Sequence, residues 1–326
     1  MNSQTPLALV LGATGSIGGE VARALLARGW RVRALNRNPE LAKSKGPDDL
    51  EWVFGDAMNP ADVVAAATGA QIIFHGASPA GYAGWAKLVP VMLESTIAAA
   101  RASGARIVFP GNIYNFGPEV WSRIDETSPQ NPKTRKGAIR VDLERRLEAV
   151  SNEGVRSLIV RAGDFFGPRT ASSWLTEGWV AKGKPIKALT LPGPADITHA
   201  WAYLPDFAET IMQLVEREAS LPAFSSFNHR GHQITGAEMA DALDRVAGRK
   251  LPRKTLPWFA MAMVSPIVEM LREMLEMRYL WDNEVLMDNA KLVKTLGYEP
   301  HTPLDDALRT ALIGQGCLPQ PMSLAA

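Results

Sequence analysis

Cysteine is almost absent from this chain, and histidines are few and scattered. The single cysteine, Cys317, excludes an internal disulfide and a multi-cysteine zinc site. Its position in the final tail argues against a role as a nucleophile. No two of the five histidines are four residues apart, the spacing of a helical metal pair, and we predict no metal site. A chain without disulfides fits a reducing compartment, so we expect a cytoplasmic protein.

Excess charge and long apolar runs are missing as well. The 35 Lys and Arg residues nearly balance the 34 Asp and Glu residues, which argues against a dedicated nucleic-acid binder. The longest apolar stretch, residues 256–268, contains two prolines and falls short of the roughly 20 residues that span a membrane. The N-terminus lacks a basic region, so we expect neither a signal peptide nor a membrane span.

The 326 residues alternate short apolar runs with helical patterns in the first half of the chain. Predicted strands lie at residues 7–11, 31–35, 50–54, 71–75, 106–109 and 157–161, and predicted helices at 19–28, 60–68, 85–103 and 139–152. This alternation indicates βαβ units and an α/β fold with a doubly wound parallel sheet. We predict a first domain over residues 1–165, re-entered by the chain at about 198–230. A smaller, mostly helical lobe then comprises residues 166–197 and 231–326.

A glycine-rich turn joins the first predicted strand to the first helix. Gly12, Gly15 and Gly18 match the spacing of a dinucleotide-binding loop in the required strand–turn–helix context. The first glycine permits the tight turn, the second lets a pyrophosphate approach, and the third lets helix and strand pack closely. The helix N-terminus then faces the phosphates with unpaired N–H groups. The predicted contacts are Gly12, Thr14, Gly15, Ser16, Ile17 and Gly18.

The end of the second strand distinguishes between cofactors. Asn36 stands where an acidic residue would hold the ribose of NAD, and Arg37 follows it. Because arginine pairs well with phosphate, we predict NADP(H) in preference to NAD(H), with Arg37, aided by Arg33, on the 2′-phosphate. The alternative is that Arg37 is an ordinary surface arginine. Asp56, after the third strand, either contacts the adenine or caps a turn.

Several motifs together resemble the short-chain dehydrogenase/reductase superfamily, in its extended or atypical branch of NAD-dependent epimerase/dehydratase-like proteins. They lie at residues 74–78, 161–168, 201–206, 288–292 and 296–300. The resemblance implies a Rossmann domain, a small-molecule substrate and a homodimer that packs the helices near 85–103 and 139–152. It also implies cofactor contacts from Asp56, Ala57, Gly76, Ala77, Asn112, Arg140, Arg161 and Gly163, and substrate contacts from Ser78, Tyr82 and Asp164. Asp164 has the alternative role of a loop cap.

The catalytic positions depart from the family's pattern. Members of that superfamily use Ser or Thr, followed by Tyr-x-x-x-Lys, and no Tyr-x-x-x-Lys occurs in this sequence. Alignment with the pattern puts Asn112 at the hydroxyl position, Lys136 at the tyrosine position and Arg140 at the lysine position. A buried lysine beside an arginine can donate a proton to a carbonyl, and Tyr114 is a second acid/base candidate. The alternative is a solvated helix start whose charges serve solubility.

Two classes of function remain open at this point. The first is an NADP(H)-dependent oxidoreductase with a non-standard acid/base, acting on a carbonyl or alcohol of low polarity. A related alternative within this class is a sugar-nucleotide epimerase or dehydratase. The second is a non-catalytic NADP(H)-binding sensor, which the lost tyrosine favours. The Trp- and Met-rich second lobe forms either an apolar substrate pocket or lid, or else core and oligomer contacts.

Overall fold

A computed structural model describes residues 5–79 and 84–320. The strands are β1 (Leu7–Leu11), β2 (Arg31–Asn36), β3 (Glu51–Phe54), β4 (Ile72–His75), β5 (Arg106–Asn112), β6 (Ser157–Ala162), β7 (Asp164–Phe166), β8 (Leu189–Leu191), β9 (Thr198–Tyr203), β10 (Phe224–Asn228), β11 (His232–Thr235) and β12 (Arg253–Thr255). The α-helices are α1 (Ser16–Ala27), α2 (Pro39–Lys43), α3 (Pro60–Ala66), α4 (Trp85–Ser103), α5 (Arg135–Ser151), α6 (Leu204–Glu216), α7 (Gly236–Ala247), α8 (Trp258–Val264), α9 (Glu269–Glu276), α10 (Tyr279–Asp282), α11 (Ala290–Leu296) and α12 (Leu304–Gly314). A π-helical turn occupies Leu175–Trp179 and a 3-10 turn Glu218–Ser220.

The chain divides into two compact units. The first comprises Met1–Ala162, Phe207–His229 and Met287–Pro300, and the second comprises Gly163–Asp206, Arg230–Leu286 and His301–Ala326. Residues 198–206 therefore lie in the second unit and residues 287–300 in the first, whereas the sequence-based scheme assigned them the other way round.

The first unit contains a seven-stranded sheet in the order β10-β6-β5-β4-β1-β2-β3. Every pairing in it is parallel, which confirms the predicted α/β doubly wound fold. All five residues of β1 and all four of β4 are buried, because helices cover both faces of such a sheet. The carboxyl ends of β1, β4 and β5 therefore meet at one edge, where ligands bind in this architecture.

Two predicted helices have different boundaries in the structure. Helix α5 begins at Arg135, earlier than predicted, because the Thr134 hydroxyl accepts a hydrogen bond from the Gly137 N–H at 3.0 Å and caps the helix. The predicted helical stretch 258–277 is two helices, α8 and α9, separated by a segment that contains Pro266. Proline lacks the N–H that would continue the helical ladder.

The second unit packs a three-stranded sheet, β11-β9-β7, and a two-stranded sheet, β12-β8, around an aromatic core. Its tryptophans Trp179, Trp201 and Trp281 are buried, which favours the core interpretation of the Trp-rich lobe. Within the described ranges, no helix is both long and apolar enough to cross a membrane.

Candidate cofactor and catalytic site

The glycine loop after β1 fits against the end of β4 with no room for side chains. Gly12 has a φ of +88°, and a Cβ there would stand 2.4 Å from the Gly76 carbonyl oxygen. A Cβ on Gly18 would stand 2.3 Å from the Gly12 oxygen. The predicted roles of Gly12 in the turn and Gly18 in close packing are thus visible in the backbone.

The first turn of α1 offers its N–H groups without side-chain competition. Gly15 is the N-cap residue and carries no side chain that could cap the helix, and the first turn contains no acidic residue. Thr14 is exposed, and Ser16 and Ile17 are half-buried at the start of the helix. A bare helix N-terminus of this kind favours an anion such as a pyrophosphate.

Beside the loop, the segment after β4 continues the same edge of the sheet. The Gly76 N–H donates to the Leu11 carbonyl at 2.9 Å. Ala77 is half-buried and Ser78 is exposed. Tyr82, predicted to contact substrate, lies outside the described residues.

The two arginines predicted for the 2′-phosphate have different surroundings. Arg33 donates to the Glu51 carboxylate at 2.8 Å and to the Ala66 carbonyl at 2.7 Å. Its guanidinium therefore links β2, β3 and α3, and its help at the phosphate stays a prediction. Arg37 is exposed, and in the described part of the chain no hydrogen bond or ion pair engages it. The Asn36 side chain accepts from the Asn38 N–H at 2.8 Å.

The Asp56 side chain caps a turn, which was the second of the two roles considered for it. Its carboxylate accepts from the Met58 N–H at 2.9 Å, while its own N–H donates to Asp62 at 2.9 Å. Ala57 is partly buried against the core of the sheet. An adenine contact at Asp56 and Ala57 stays a prediction.

Lys136 is buried at the start of α5, with only 5% of its surface exposed. The solvated-face alternative therefore fails for this lysine, although its neighbour Arg135 is exposed. Asn112, at the end of β5, accepts from the Tyr114 N–H at 2.8 Å, which orients its amide. A Cβ on Gly137 would stand 2.2 Å from the Tyr114 carbonyl, so the helix start and the strand end are in direct contact.

Arg140 lies one helical turn after Lys136 on α5, and its side chain packs on strand β5. It donates to the Pro110 carbonyl, and its guanidinium carbon lies 4.6 Å from the centre of the Phe109 ring. Burial lowers the pKa of Arg140, and the carboxylate of Glu144 opposes that shift. The side chain remains charged, because the ordinary arginine pKa is far above neutrality.

Arg161 forms a buried ion pair with Glu144. The Glu144 carboxylate receives hydrogen bonds from Arg161 at 2.7 Å and 3.1 Å and from Gln130 at 3.0 Å. Both charged residues are 2% exposed. The pair joins α5 to β6, and among the described residues no hydrogen-bond partner reaches the Nη1 atom of Arg161. A cofactor contact at Arg161 stays a prediction and falls on that atom.

His75, at the end of β4, is a buried and packed histidine. Its Nδ1 lies 2.7 Å from the Thr96 hydroxyl, which itself donates to the Met92 carbonyl at 3.1 Å. With the Thr96 hydroxyl donating to Met92, the arrangement that satisfies both groups has Nδ1–H donating to Thr96. Burial, reinforced by the charge of Arg140, lowers the pKa of His75 to about 3. The only sequence signal is a polar residue ending an apolar strand.

The neutral state of His75 predicts a loss of stability in acid. The unfolded chain protonates this histidine below its usual pKa of about 6.5, while the folded chain does not. Lowering the pH from 7 to 4.5 should therefore remove about 3 kcal/mol of unfolding free energy through His75 alone. Urea unfolding of wild type and His75→Gln across this range measures the difference. An identical pH dependence in the two proteins would contradict the assignment.

In the second unit, Asp164 accepts a hydrogen bond from His199 Nε2 at 2.8 Å. The other ring nitrogen of His199 lies 3.2 Å from the Leu280 carbonyl, and its ring stacks on Trp281 at 3.8 Å. Asp164 is part of strand β7 and pairs with His199, so its alternative role as a loop cap is wrong. Its substrate contact stays a prediction. A Cβ on Gly163 would stand 2.2 Å from the Ala200 oxygen.

Metal ligands do not gather in the described ranges: no group of three or more His, Cys, Asp or Glu side chains there could hold an ion.

Comparison with known proteins gives one family and several relatives. The model of the NAD dependent epimerase/dehydratase family matches residues 8–228. A 3-diazoavenalumate denitrifying reductase from Streptomyces sp is 29% identical over 65% of this chain and 73% of its own length. Cinnamoyl-CoA reductase 1 from Oryza sativa subsp. japonica is 36% identical over 33% of this chain. This chain spans 35% of the rice enzyme and 52% of an uncharacterized Sinorhizobium fredii protein that it also matches.

A solved structure is similar over nearly the whole chain. UDP-glucose 4-epimerase from Brucella ovis in complex with NAD superposes with a TM-score of 0.73 at 17% identity, covering 96% of this chain and 99% of that one. At this identity the likeness establishes the fold.

Proposed function

The chain belongs to the NAD-dependent epimerase/dehydratase family, and on that premise we propose that it is an NADP(H)-dependent oxidoreductase of carbonyl or alcohol substrates. Membership confirms the resemblance found in the sequence and the expectation of an enzyme. The observation that carries the finer proposal is the pair of cations, Lys136 and Arg140, on the inner face of α5. The rice cinnamoyl-CoA reductase among its relatives supports an acyl-carbonyl substrate, and the Streptomyces relative supports a reductase.

The residues present fit a dinucleotide cofactor. Gly12 and Gly18 let the loop pack directly against the Gly76 and Gly12 backbone, and the start of α1 beside it has no side-chain cap. The predicted cofactor contacts would hold the pyrophosphate there and the ribose near Arg140. When bound, the nicotinamide supplies or accepts a hydride.

The protein's own residues would manage the charge that develops on the substrate oxygen. Arg161 pairs with Glu144, and the Arg140 guanidinium contributes positive charge beside Pro110 and Phe109 of β5. Such fixed charge stabilises an oxyanion. Lys136 would donate the proton, with Tyr114 as the second candidate. Asn112, whose oxygen is taken by the Tyr114 N–H, would present its NH₂ group to the same oxygen.

Replacing Lys136 with methionine should lower kcat for aldehyde reduction about 100-fold, since proton transfer contributes roughly 10²–10⁴-fold in enzymes. The NADPH dissociation constant should stay within about threefold, because the change is not at the phosphates. The measurement is turnover across a carbonyl panel with NADPH, and Arg145→Met, an exposed cation on the same helix, is the control. Undiminished turnover would exclude Lys136 as the proton donor.

Arg37→Ala tests the choice of cofactor. Loss of a charge-assisted phosphate contact should weaken NADPH binding about tenfold and leave NADH binding unchanged. Fluorescence titration of both cofactors against wild type and variant measures this. Arg31→Ala is the matched control, because Arg31 is an exposed arginine at the opposite end of β2. Equal affinity of the wild type for NADPH and NADH would contradict an NADP-specific site.

The sensor alternative is favoured by one observation, the loss of Tyr-x-x-x-Lys. Tight NADPH binding without turnover on any carbonyl would support it. A sugar-nucleotide epimerase is disfavoured by the same loss. The cytoplasmic location, the low polarity of the substrate and the homodimer through α4 and α5 stay predictions.

A further inference from the structure

The second unit contains a cavity of about 690 Å³ that no part of the proposed oxidoreductase mechanism uses. The π-helical turn Leu175–Trp179, the following turn and strand β8 supply its walls. Its volume is in the range of small-molecule sites. We propose that this cavity binds a small organic acid, a compound with an apolar or aromatic body that ends in a carboxylate.

The charges of the wall favour an anion. Lys184 and Lys187 both line the cavity and are exposed, and in the described ranges neither ammonium group has a partner in the chain. Lys182, on the same turn, differs because it donates to the carbonyls of Thr170 and Ala171 at 3.1 Å. The only carboxylate in the wall is Glu177, so cations outnumber it.

The remainder of the wall is largely apolar. Val180, Ala181, Ile186 and Ala188 contribute aliphatic surface, which favours a hydrocarbon or aryl body over a sugar or a polyphosphate. Two cations suit one carboxylate better than the several charges of a nucleotide.

Unsatisfied donors behind this wall are a second, independent observation. The Thr176 hydroxyl and the Trp179 indole N–H belong to residues that line the cavity, and neither has a hydrogen-bond partner among residues 5–79 and 84–320. Thr176 is 3% exposed and Trp179 is 2% exposed, and a buried polar group without a partner is costly. Both lie in a π-helical turn, a rare conformation that is frequent at functional sites.

Calorimetric titration of the full chain with 3-phenylpropanoate and with its methyl ester tests the proposal. The acid should bind at least tenfold more tightly than the neutral ester, and added salt should reduce the difference. Lys184→Met/Lys187→Met should weaken binding of the acid at least tenfold. Lys250→Met, an exposed lysine outside the cavity wall, should leave it unchanged. Equal affinity for acid and ester, or no binding of either, would overturn the proposal.

A variant that fills the cavity tests whether the lysine substitutions weaken binding only through a long-range change in charge. Ala181 is exposed at the cavity, so Ala181→Phe fills the space while both lysines remain. It should weaken binding of the acid at least fivefold, whereas Ala102→Phe, on exposed surface of α4, should not. Unchanged binding in Ala181→Phe would place the acid elsewhere and overturn the assignment.

The acid could reach this cavity either as part of the substrate or as an effector, and kinetics separate the two. Competitive inhibition of carbonyl turnover by 3-phenylpropanoate identifies a substrate pocket, and non-competitive modulation identifies an effector site. Both results support the cavity. Because the titration needs neither NADPH nor turnover, its failure is distinct from failure of the proposed function.

Discussion

Gly12→Ala is expected to lower the unfolding free energy by about 3 kcal/mol or more and to abolish measurable NADPH binding. A left-handed φ of +88° costs a residue with a Cβ about 1–2 kcal/mol by itself. The added methyl group would also stand 2.4 Å from the Gly76 oxygen, so the end of β4 or the loop must move. That movement displaces the start of α1, which is the proposed pyrophosphate site.

Gly29→Ala is the matched control for this prediction. Gly29 also has a positive φ, +75°, but no atom lies within 4 Å of the position of its Cβ. This variant should lose only the conformational part, about 1 kcal/mol, and keep its NADPH affinity. Urea unfolding and NADPH titration of the three proteins give the answer. Equal losses in both variants would show that the contact with Gly76 does not govern the loop.

Glu144→Leu is expected to destabilise the protein by about 3–5 kcal/mol, because it leaves the Arg161 charge buried without its partner. The Glu144 carboxylate forms an ion pair with that guanidinium at 2.7 Å, and both residues are 2% exposed. Breaking a buried pair is costly even where replacing the whole pair is not. The double variant Glu144→Leu/Arg161→Met should therefore recover most of the loss.

A double-mutant cycle of urea unfolding measures the coupling between the two residues. The exposed pair Glu40–Lys43, at 2.8 Å, is the control, and Lys43→Met should have no measurable effect. If the double variant were as unstable as Glu144→Leu, the buried charge would not be the cause. Reduced turnover in the rescued double variant would show that the pair also positions Arg140 on α5.

Local patterns made most of the first unit predictable. The apolar runs of β1 and β4 and the spacing of Gly12, Gly15 and Gly18 depend on neighbouring residues alone, so the strand–turn–helix could be recognised. The helix start at Arg135 was missed because the cap at Thr134 is a single side-chain hydrogen bond. The break between α8 and α9 was missed because the apolar pattern continues across Pro266.

Residue type and local spacing were enough to predict the parallel sheet, the glycine loop and the missing catalytic tyrosine. The surroundings of each cation became visible only in the folded chain. Arg33 pairs with Glu51, Arg161 pairs with Glu144, and Lys136 is buried. Burial and pairing depend on residues that are distant in the chain and meet only after folding, and these contacts set each group's charge and accessibility.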